Sequence, residues 1–183
     1  FAPLGVETDE VYTHLATGSI LTTDNPLDLA IIGAGYFVVD NGVNQALTRN
    51  GHFAINAEGY LANDNGDLVL GENGPIRLDG PVEFGADGSI MVDNQVIDRL
   101  LVVMPEDESM LVKEGHSRFI LDGEWTRLET AVVQQGALEN SNVNVIEEMT
   151  KMIAVTRAYE SNQKAIAVAD QIMDKIANEI GRL

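Results

Sequence analysis

The sequence contains no cysteine, which excludes disulfide bonds and any site that needs a thiolate as ligand or nucleophile. Its three histidines, His14, His52 and His116, share no spacing that would suit a metal site. No Gly-x-Ser-x-Gly motif occurs, and no segment brings together a nucleophile, a base and an orienting group. We therefore expect no catalytic residue, no cofactor and no metal site.

Long hydrophobic runs are also missing. No stretch of about 18 apolar residues occurs, so no segment is predicted to span a membrane. The first residues lack a basic region followed by an apolar one, so no cleavable secretory signal is predicted. The sequence begins at Phe1 rather than at a methionine, and we expect a further segment upstream.

Basic residues are scarce. The chain has 11 lysines and arginines against 29 aspartates and glutamates, which gives a net charge of −18. Such a surface repels phosphates of nucleic acids and anionic lipid head groups. Since no basic stripe interrupts it, we expect no nucleic-acid partner.

Turn-forming dipeptides are abundant between residues 41 and 123. They are Asn41-Gly42, Asn50-Gly51, Glu58-Gly59, Asn65-Gly66, Asn73-Gly74, Asp79-Gly80, Asp87-Gly88 and Asp122-Gly123. Asn-Gly and Asp-Gly suit the positive φ angles of hairpin turns. The segments between them are short, apolar and often β-branched, namely Tyr36–Val39, Leu68–Leu70, Ser89–Val92 and Leu100–Met104. This spacing predicts an antiparallel β domain of short strands and hairpins. Apart from the last forty residues, only residues 102–113 show a helical pattern, and it is weak.

The last forty residues have a different pattern. From Asn144 to Ile180 the chain has neither glycine nor proline, which predicts a helix of roughly 55 Å. A heptad count from Val145 gives one a/d seam, of which ten of twelve residues are apolar. The seam is Val145, Glu148, Met152, Val155, Tyr159, Asn162, Ile166, Ala169, Met173, Ile176, Ile180 and Leu183. We interpret Asn144 as the N-cap, Glu148 as a first-turn carboxylate that suits the helix dipole, and Asn162 as a polar seam residue that fixes register.

The predicted fold is therefore mainly β with a long C-terminal helix that forms a coiled coil. Residues 1–26 are interpreted as an extended lead-in and residues 27–128 as the antiparallel β domain. Residues 129–143 are interpreted as an extended return segment and residues 144–183 as the amphipathic helix. The terminal helix is longer than a domain of this size requires, and this length predicts a partner helix. The alternative is that the helix folds back on its own domain.

Two short motifs have functional alternatives. Gly33-Ala34-Gly35 follows an apolar segment, but Val38 stands where a dinucleotide loop needs its third glycine, so we interpret it as a tight turn between strands. Residues 63–67 resemble a calcium loop without its final glutamate, and we interpret them as a surface turn.

Several longer segments resemble the bacterial flagellar basal-body rod proteins of the FlgF/FlgG type and, more distantly, the hook protein. The resemblance runs through residues 23–31, 33–39, 47–53, 59–61, 135–144, 147–153 and 157–164. The motif residues that we single out are Asn25, Pro26, Leu27, Asp28, Arg49, Asn50, Gly51, Ser141, Asn142, Val143 and Asn144. The ending at residues 178–183 slightly favours the proximal-rod FlgF type over the distal-rod type.

The resemblance implies a structural subunit with no enzymatic activity. In that family the terminal helices pack together along an axial tube and the β domain forms its outer wall. The implied partners are the chain itself, other rod and hook subunits, an N-terminal helix of the same protein and the flagellar type III export apparatus. The implied location is the flagellar basal body in the cell envelope, reached without a cleaved signal.

Two other classes remain as alternatives. A secreted β-rich module that binds carbohydrate or calcium is favoured by exposed aromatics clustered on one face, but aromatics make up only 5% of the chain. A hydrolase would need a convergent polar site, which the sequence does not show.

Overall fold

The computed structural model describes residues 17–121 and 123–180, without the side chains of residues 177, 179 and 180. His14, Asp122, Leu183 and the first 16 residues of the predicted lead-in lie outside the described residues, as does the side chain of Ile180. The chain divides into two compact units between Asn142 and Val143. The described residues of the first unit form antiparallel strands and those of the second form one helix, which confirms the prediction of a mainly β fold with a long C-terminal helix.

The described residues of the first unit form seventeen short strands. They are β1 (Ile20–Thr22), β2 (Leu29–Ile32), β3 (Tyr36–Asp40), β4 (Gln45–Thr48), β5 (Phe53–Ile55), β6 (Leu61–Asn63), β7 (Leu68–Gly71), β8 (Gly74–Pro75), β9 (Val82–Phe84), β10 (Ser89–Val92), β11 (Gln95–Arg99), β12 (Val102–Pro105), β13 (Leu111–Gly115), β14 (Arg118–Leu121), β15 (Trp125–Arg127), β16 (Val132–Gln135) and β17 (Ala137–Glu139).

The largest sheet has the strand order β13-β14-β4-β3-β7-β6-β5. Strand β3 is its centre, because it pairs with β4 along one edge and with both β7 and β12 along the other. Strand β15 extends this sheet through β12, and β8 extends it through β7. A smaller sheet has the order β11-β10-β9.

The segments that flank this β region are also paired strands. Strand β1 pairs with β17, and β2 pairs with β16. Residues 129–143, interpreted above as an extended return segment, therefore contain two strands of the first unit, β16 and β17. Their antiparallel pairing brings this segment beside the first two described strands.

Hydrophobic alternation along these strands builds two buried clusters. The larger one contains Phe37, Phe53, Leu61 and Ile90, and the rings of Phe37 and Phe53 meet edge to face with centroids 5.4 Å apart. In the smaller cluster, Tyr36 packs with Phe119 in the same manner at 6.0 Å. Because side chains alternate along a strand, Tyr36 and Phe37 supply the two clusters on opposite faces of β3.

Most predicted hairpin turns are present, and two further hairpins have turns without an Asn-Gly or Asp-Gly dipeptide. The turns at Gly42, Gly59, Gly66 and Gly88 have positive φ and join neighbouring strands. Strands β10 and β11 are joined by Asp93-Asn94, and β13 and β14 by His116-Ser117, with positive φ at all four residues. Non-glycine residues in this conformation are uncommon, which is why the Asn-Gly rule missed both turns.

The prediction of a hairpin turn at Asn50-Gly51 is wrong. Strand β4 pairs with β3 and β14, whereas β5 pairs with β6, so Asn50-Gly51 joins two strands that are not partners. Gly51 lies against the backbone of Leu29, where an added Cβ would sit 1.7 Å from the Leu29 carbonyl oxygen. Its glycine is required by this close approach rather than by a positive φ.

The helical conformation that a weak pattern predicts for residues 102–113 is also wrong. The segment forms β12, a 3₁₀ turn at Glu108–Met110 and β13. The Asp107 carboxylate caps this turn by accepting from the Ser109 amide at 2.9 Å. Strand pairing on both sides of β12 and the hydrogen bonds of the turn therefore determine the conformation of this segment.

The second unit contains α1 (Val145–Ile180), a 36-residue helix. The Asn144 side chain accepts hydrogen bonds from the amides of Ile146 at 3.1 Å and Glu147 at 3.4 Å. Asn144 is thus the N-cap, as its position in the sequence predicts. Glu147 and Glu148 occupy the first turn, where carboxylates suit the helix dipole.

Candidate functional site: the terminal strand pair and the helix

Pairing of β1 with β17 brings together the first and last strands among the described residues of the first unit. Ile20 lies opposite Glu139, and Thr22 lies opposite Ala137. The pairing continues beyond both strands, since the Asn140 amide donates to the Ser19 carbonyl and the Thr23 amide donates to the Gly136 carbonyl, each at 2.8 Å. The chain segments at Ser19–Thr23 and Gly136–Asn140 therefore run side by side.

A buried carboxylate lies directly after this strand pair. Asp28 is 3% exposed, and its side chain accepts hydrogen bonds from the Thr23 hydroxyl at 2.6 Å and the Asn25 amide group at 3.0 Å. Nδ1 of His52 lies 2.7 Å from the same carboxylate. The Asp28 backbone carbonyl accepts from the Gly136 amide at 2.8 Å. Asp28 thus joins the incoming chain, the β4–β5 connection and the outgoing chain.

Arg49 makes a second connection between these parts. Its guanidinium donates to the Glu139 carboxylate from Nε at 2.7 Å, and to the carbonyls of Gly35 and Gly33 at 2.8 and 3.0 Å. Both charged side chains are mostly buried, with 16% of Arg49 and 11% of Glu139 exposed. The other Glu139 oxygen accepts from the Gly18 amide at 2.7 Å. Charge-assisted hydrogen bonds of this kind are stronger than neutral ones.

The remaining motif residues support the same region. Asn25 accepts from the Leu27 amide at 3.3 Å, and the Pro26 carbonyl accepts from the Gln135 side chain at 2.8 Å. Asn50 accepts from the His52 amide at 3.1 Å. Motif residues 25–28 and 49–51 are therefore brought together beside β17, although more than 20 positions separate them in the sequence.

Four residues that complete this network were not among the predicted site residues. They are Thr23, His52, Gln135 and Glu139. All of them lie inside the motif segments of the sequence, so membership of those segments was the available signal. Their roles depend on side-chain contacts between distant positions, which a one-dimensional pattern does not specify.

The third group of motif residues, Ser141–Asn144, connects the two units. The Ser141 amide donates to the Asn140 side chain at 3.2 Å, and Asn144 caps α1 as described above. This segment is thus shaped by local side-chain-to-backbone hydrogen bonds.

The predicted seam residues lie exposed along α1. Val145, Met152, Val155, Tyr159, Ile166 and Met173 are each between 58% and 69% exposed, and Ile176 is 47% exposed; Asn162 and Ala169 are exposed as well. Apolar residues outside the seam are exposed to a similar extent, including Ile146, Met149, Ile153, Val168 and Ile172. Exposed apolar surface of this size is typical of an interaction site.

Tyr36 and Asp87 have pKa values displaced from their ordinary ranges. Burial raises the pKa of Tyr36, as do the carboxylates of Glu108 and Glu139, while Arg49 lowers it. Hydrogen bonds from Ser89 lower the pKa of Asp87 on the surface. Among the described residues, no group of three His, Asp or Glu side chains is arranged to hold a metal ion.

The predicted turn at residues 63–67 has a structural role. Asn63 accepts from the amides of Asn65 and Asp67, each at 2.9 Å. Both carboxylate oxygens of Asp67 accept from the Arg118 guanidinium, at 2.9 and 2.8 Å. Because both Asp67 carboxylate oxygens are paired with Arg118, this carboxylate is not available as a calcium ligand.

Comparisons with known proteins bear on both units. The family described as "Flagellar hook protein FlgE/F/G D1 domain" matches residues 30–99, and "Flagellar basal body rod FlgEFG protein C-terminal" matches residues 134–179. The flagellar basal-body rod protein FlgF of Mesorhizobium japonicum is 32% identical over 179 residues, which cover 94% of this chain and 74% of that protein. The chain belongs to the flagellar basal-body rod protein family.

Further relatives in this rod protein family include both named types. FlgF of Caulobacter vibrioides is 32% identical over 94% of this chain and 73% of its own length. FlgG of Bacillus subtilis is 30% identical over 96% of this chain and 73% of its own length. In the described part of this family member, no helix has the length and apolarity that a membrane crossing requires.

Proposed function

We propose that this chain is a structural subunit of the bacterial flagellar basal-body rod and that it assembles into the axial tube. The observation that carries the proposal is the β1–β17 pair, which places the first and last described strands of the β unit side by side, followed by a 36-residue helix with exposed apolar side chains. In this arrangement the helix supplies the axial contacts and the β unit supplies the lateral ones.

The chemistry of the helix is suited to assembly. Fully burying a large apolar side chain contributes about 1.5–3 kcal/mol, so covering even half of the exposed ones would drive association. Contacts that are heterologous and do not close into a ring generate helical filaments. A rod built from such contacts needs no catalytic residue, and the chain is a structural protein rather than an enzyme.

The binding-module alternative gains no support from the β unit. It would need exposed aromatic side chains on one face, and among the described residues of this unit only Trp125 is a markedly exposed aromatic. A shallow depression of about 450 Å³ is lined by turn residues such as Asp40, Asn41, Asn56 and Glu58, without an aromatic platform.

The finer parts of the proposal concern position and partners. We favour the proximal-rod type, supported by the FlgF relatives at 32% identity, although FlgG of Bacillus subtilis follows at 30%. The proposed partners are neighbouring rod and hook subunits, further copies of this chain, a helix encoded upstream and the flagellar type III export apparatus. Export without cleavage predicts that the subunit in purified basal bodies has its intact, uncleaved mass.

The deciding experiment is electron microscopy of basal bodies from a strain that lacks this gene. The expected result is a truncated or missing rod, with no hook or filament, and full recovery when the unaltered gene is restored. A rod that ends near the inner membrane supports the proximal type, and one that ends further out supports the distal type. Intact basal bodies with normal motility would contradict a structural role in the rod.

A further inference from the structure

Two turns of the β unit have the same sequence and different hydrogen bonds. Asp40-Asn41-Gly42 lies between β3 and β4, and Asp64-Asn65-Gly66 lies between β6 and β7. In both turns the asparagine and the glycine are exposed, and the two glycines have nearly the same positive φ, 82° at Gly42 and 85° at Gly66. The two turns are thus a matched pair in which the effect of the hydrogen bonds on reactivity can be compared.

An asparagine that precedes a glycine can react with its own backbone. The amide nitrogen of the glycine attacks the side-chain carbon Cγ, and the approach is least hindered at glycine because it has no Cβ. Since both groups belong to neighbouring residues, little entropy is lost in bringing them together. The remaining barrier comes from removing the amide proton and from the negative charge that develops on the side-chain oxygen.

The β3–β4 turn has a group for each part of this barrier. The Gly42 amide donates to the Asp40 carboxylate at 2.7 Å, which places a proton acceptor on the attacking nitrogen. The side-chain oxygen of Asn41 accepts from the amides of Val43 at 2.9 Å and Asn44 at 2.8 Å. Two backbone donors at these distances stabilise a developing oxyanion.

In the β6–β7 turn the equivalent groups have other partners. The Gly66 amide donates to the backbone carbonyl of Asn63 at 3.0 Å, a group that does not accept a proton near neutral pH. The Asp64 carboxylate is 66% exposed and lies 3.8 Å from Nε2 of His52. The same three residues are therefore expected to react more slowly in this turn.

The other two Asn-Gly dipeptides of the β unit are restrained in different ways. Gly51 lies so close to the Leu29 backbone that its own backbone has no room to turn toward the Asn50 side chain. The side-chain nitrogen of Asn73 donates to the Asp98 carboxylate at 2.9 Å, which holds the leaving group in place. These contacts single out Asn41 among the four asparagines.

We propose that Asn41 is a site of spontaneous modification, at which the folded chain forms a succinimide with Gly42 and then aspartate or isoaspartate. The Asp40 carboxylate takes the proton of the Gly42 amide, and the nitrogen forms a bond to Cγ of Asn41. The Cγ–Nδ2 bond breaks, and the departing nitrogen takes this proton from Asp40 and leaves as ammonia. One water molecule then opens the ring at either carbonyl. The net change consumes one water molecule and releases one ammonia molecule.

The fold can tolerate this modification. Val43 at the tip of the same turn is 83% exposed. Apart from the chain neighbours of Gly42, no atom of the described residues lies within 4 Å of a Cβ added there. Isoaspartate lengthens the main chain by one carbon at this tip, outside both buried clusters. The product is a folded chain with one additional negative charge.

Peptide mapping by mass spectrometry, after incubation of the full chain at mildly alkaline pH, measures the reaction at Asn41 and Asn65 together. Trypsin cleavage after Arg49 places the two asparagines in different peptides, and electron-transfer fragmentation separates aspartate from isoaspartate. We expect Asn41 to react at least fivefold faster than Asn65 in the folded chain, and the two rates to agree within twofold in urea. Equal rates in the folded chain, or a faster reaction at Asn65, would overturn the proposal. The same preference in urea would assign it to sequence alone and overturn the role of the turn.

Two variants test the proton acceptor. Asp40→Asn keeps the shape of the side chain, removes its charge and is expected to slow the reaction at Asn41 at least threefold. Asp64→Asn is the matched control and is expected to change the reaction at Asn65 less than twofold. An unchanged or faster reaction in Asp40→Asn would show that the bond to Asp40 protects the Gly42 amide, which contradicts the proposal. Circular dichroism verifies that both variants are folded, and the comparison in the unaltered chain tests the proposal without them.

Discussion

Arg49 and Glu139, 90 positions apart in the sequence, form an ion pair in which Nε lies 2.7 Å from the carboxylate. The pair joins the β4–β5 connection to the last residue of β17. Because both side chains are mostly buried, replacing one leaves the other charge desolvated without a partner.

Arg49→Met is expected to lower the free energy of unfolding by about 2–4 kcal/mol, since a partly buried charge and two carbonyls lose their donor. Chemical denaturation of the chain measures it. Arg77→Met is the control, because Arg77 and its partner Asp79 are 61% and 75% exposed and the change should stay within about 0.5 kcal/mol. A double-mutant cycle with Glu139→Gln should give a coupling energy above about 1 kcal/mol; additive effects would contradict the direct interaction.

Gly51→Ala tests the close approach of two backbones. The added Cβ would lie 1.7 Å from the Leu29 carbonyl oxygen, so β2 and the β4–β5 connection must separate. We expect a loss of about 3 kcal/mol or more, or failure to fold. Gly123→Ala is the matched control, because its nearest atom is a methionine sulfur at 3.5 Å and its stability should change little. Equal melting temperatures of the two variants would show that these backbones do not touch in solution.

Asp28→Asn tests the buried carboxylate with almost no change in shape. The Thr23 hydroxyl donates a hydrogen bond to the Asp28 carboxylate at 2.6 Å, and Nδ1 of His52 lies 2.7 Å from the same carboxylate. The amide group of asparagine would direct its own hydrogens toward one of these two groups. The expected cost is about 1–3 kcal/mol in the free energy of unfolding. Asp64→Asn provides the comparison, since the Asp64 side chain is 66% exposed and should tolerate the change. If Asp28→Asn is as stable as the unaltered chain, the Asp28 carboxylate does not contribute to the stability of the β unit.

Tyr36 predicts a dependence of stability on alkaline pH. Burial raises the pKa of its phenol in the folded state, so the folded chain holds this proton after the unfolded chain has released it. The stabilisation is complete below the ordinary tyrosine pKa of about 10 and is lost as pH rises through the folded value.

The free energy of unfolding should therefore fall more steeply above about pH 10 in the unaltered chain than in Tyr36→Phe. Denaturant titrations of both proteins across this range measure the difference. Tyr159→Phe is the control, because Tyr159 lies 58% exposed on α1. Parallel curves for the unaltered chain and Tyr36→Phe would contradict the raised pKa.

The sequence predicted those elements that depend on local chemistry. Strands such as Tyr36–Val39 and turns such as Asn65-Gly66 follow from alternation and from residues that accept positive φ. The helix and its Asn144 cap follow from propensity and capping. These features need only neighbours within a few positions.

Features that depend on distant contacts were not predictable in the same way. Asn50-Gly51 has the composition of a hairpin turn, but its glycine is required by Leu29, which lies more than 20 positions earlier. Glu139 shows no pattern of its own and acquires its role from Arg49. The resemblance located the segments that contain these residues, and only the structure shows which side chains meet.

The pairing of β1 with β17 has a mechanical consequence. Since the incoming and outgoing chains lie side by side and antiparallel, a load that pulls the two ends apart opens their hydrogen bonds one after another, beginning near Ser19 and Asn140. A load that pulls both ends in the same direction does not stretch these bonds. The β1–β17 pair thus separates stepwise when the two chain ends are pulled apart, and it resists a pull that both ends share.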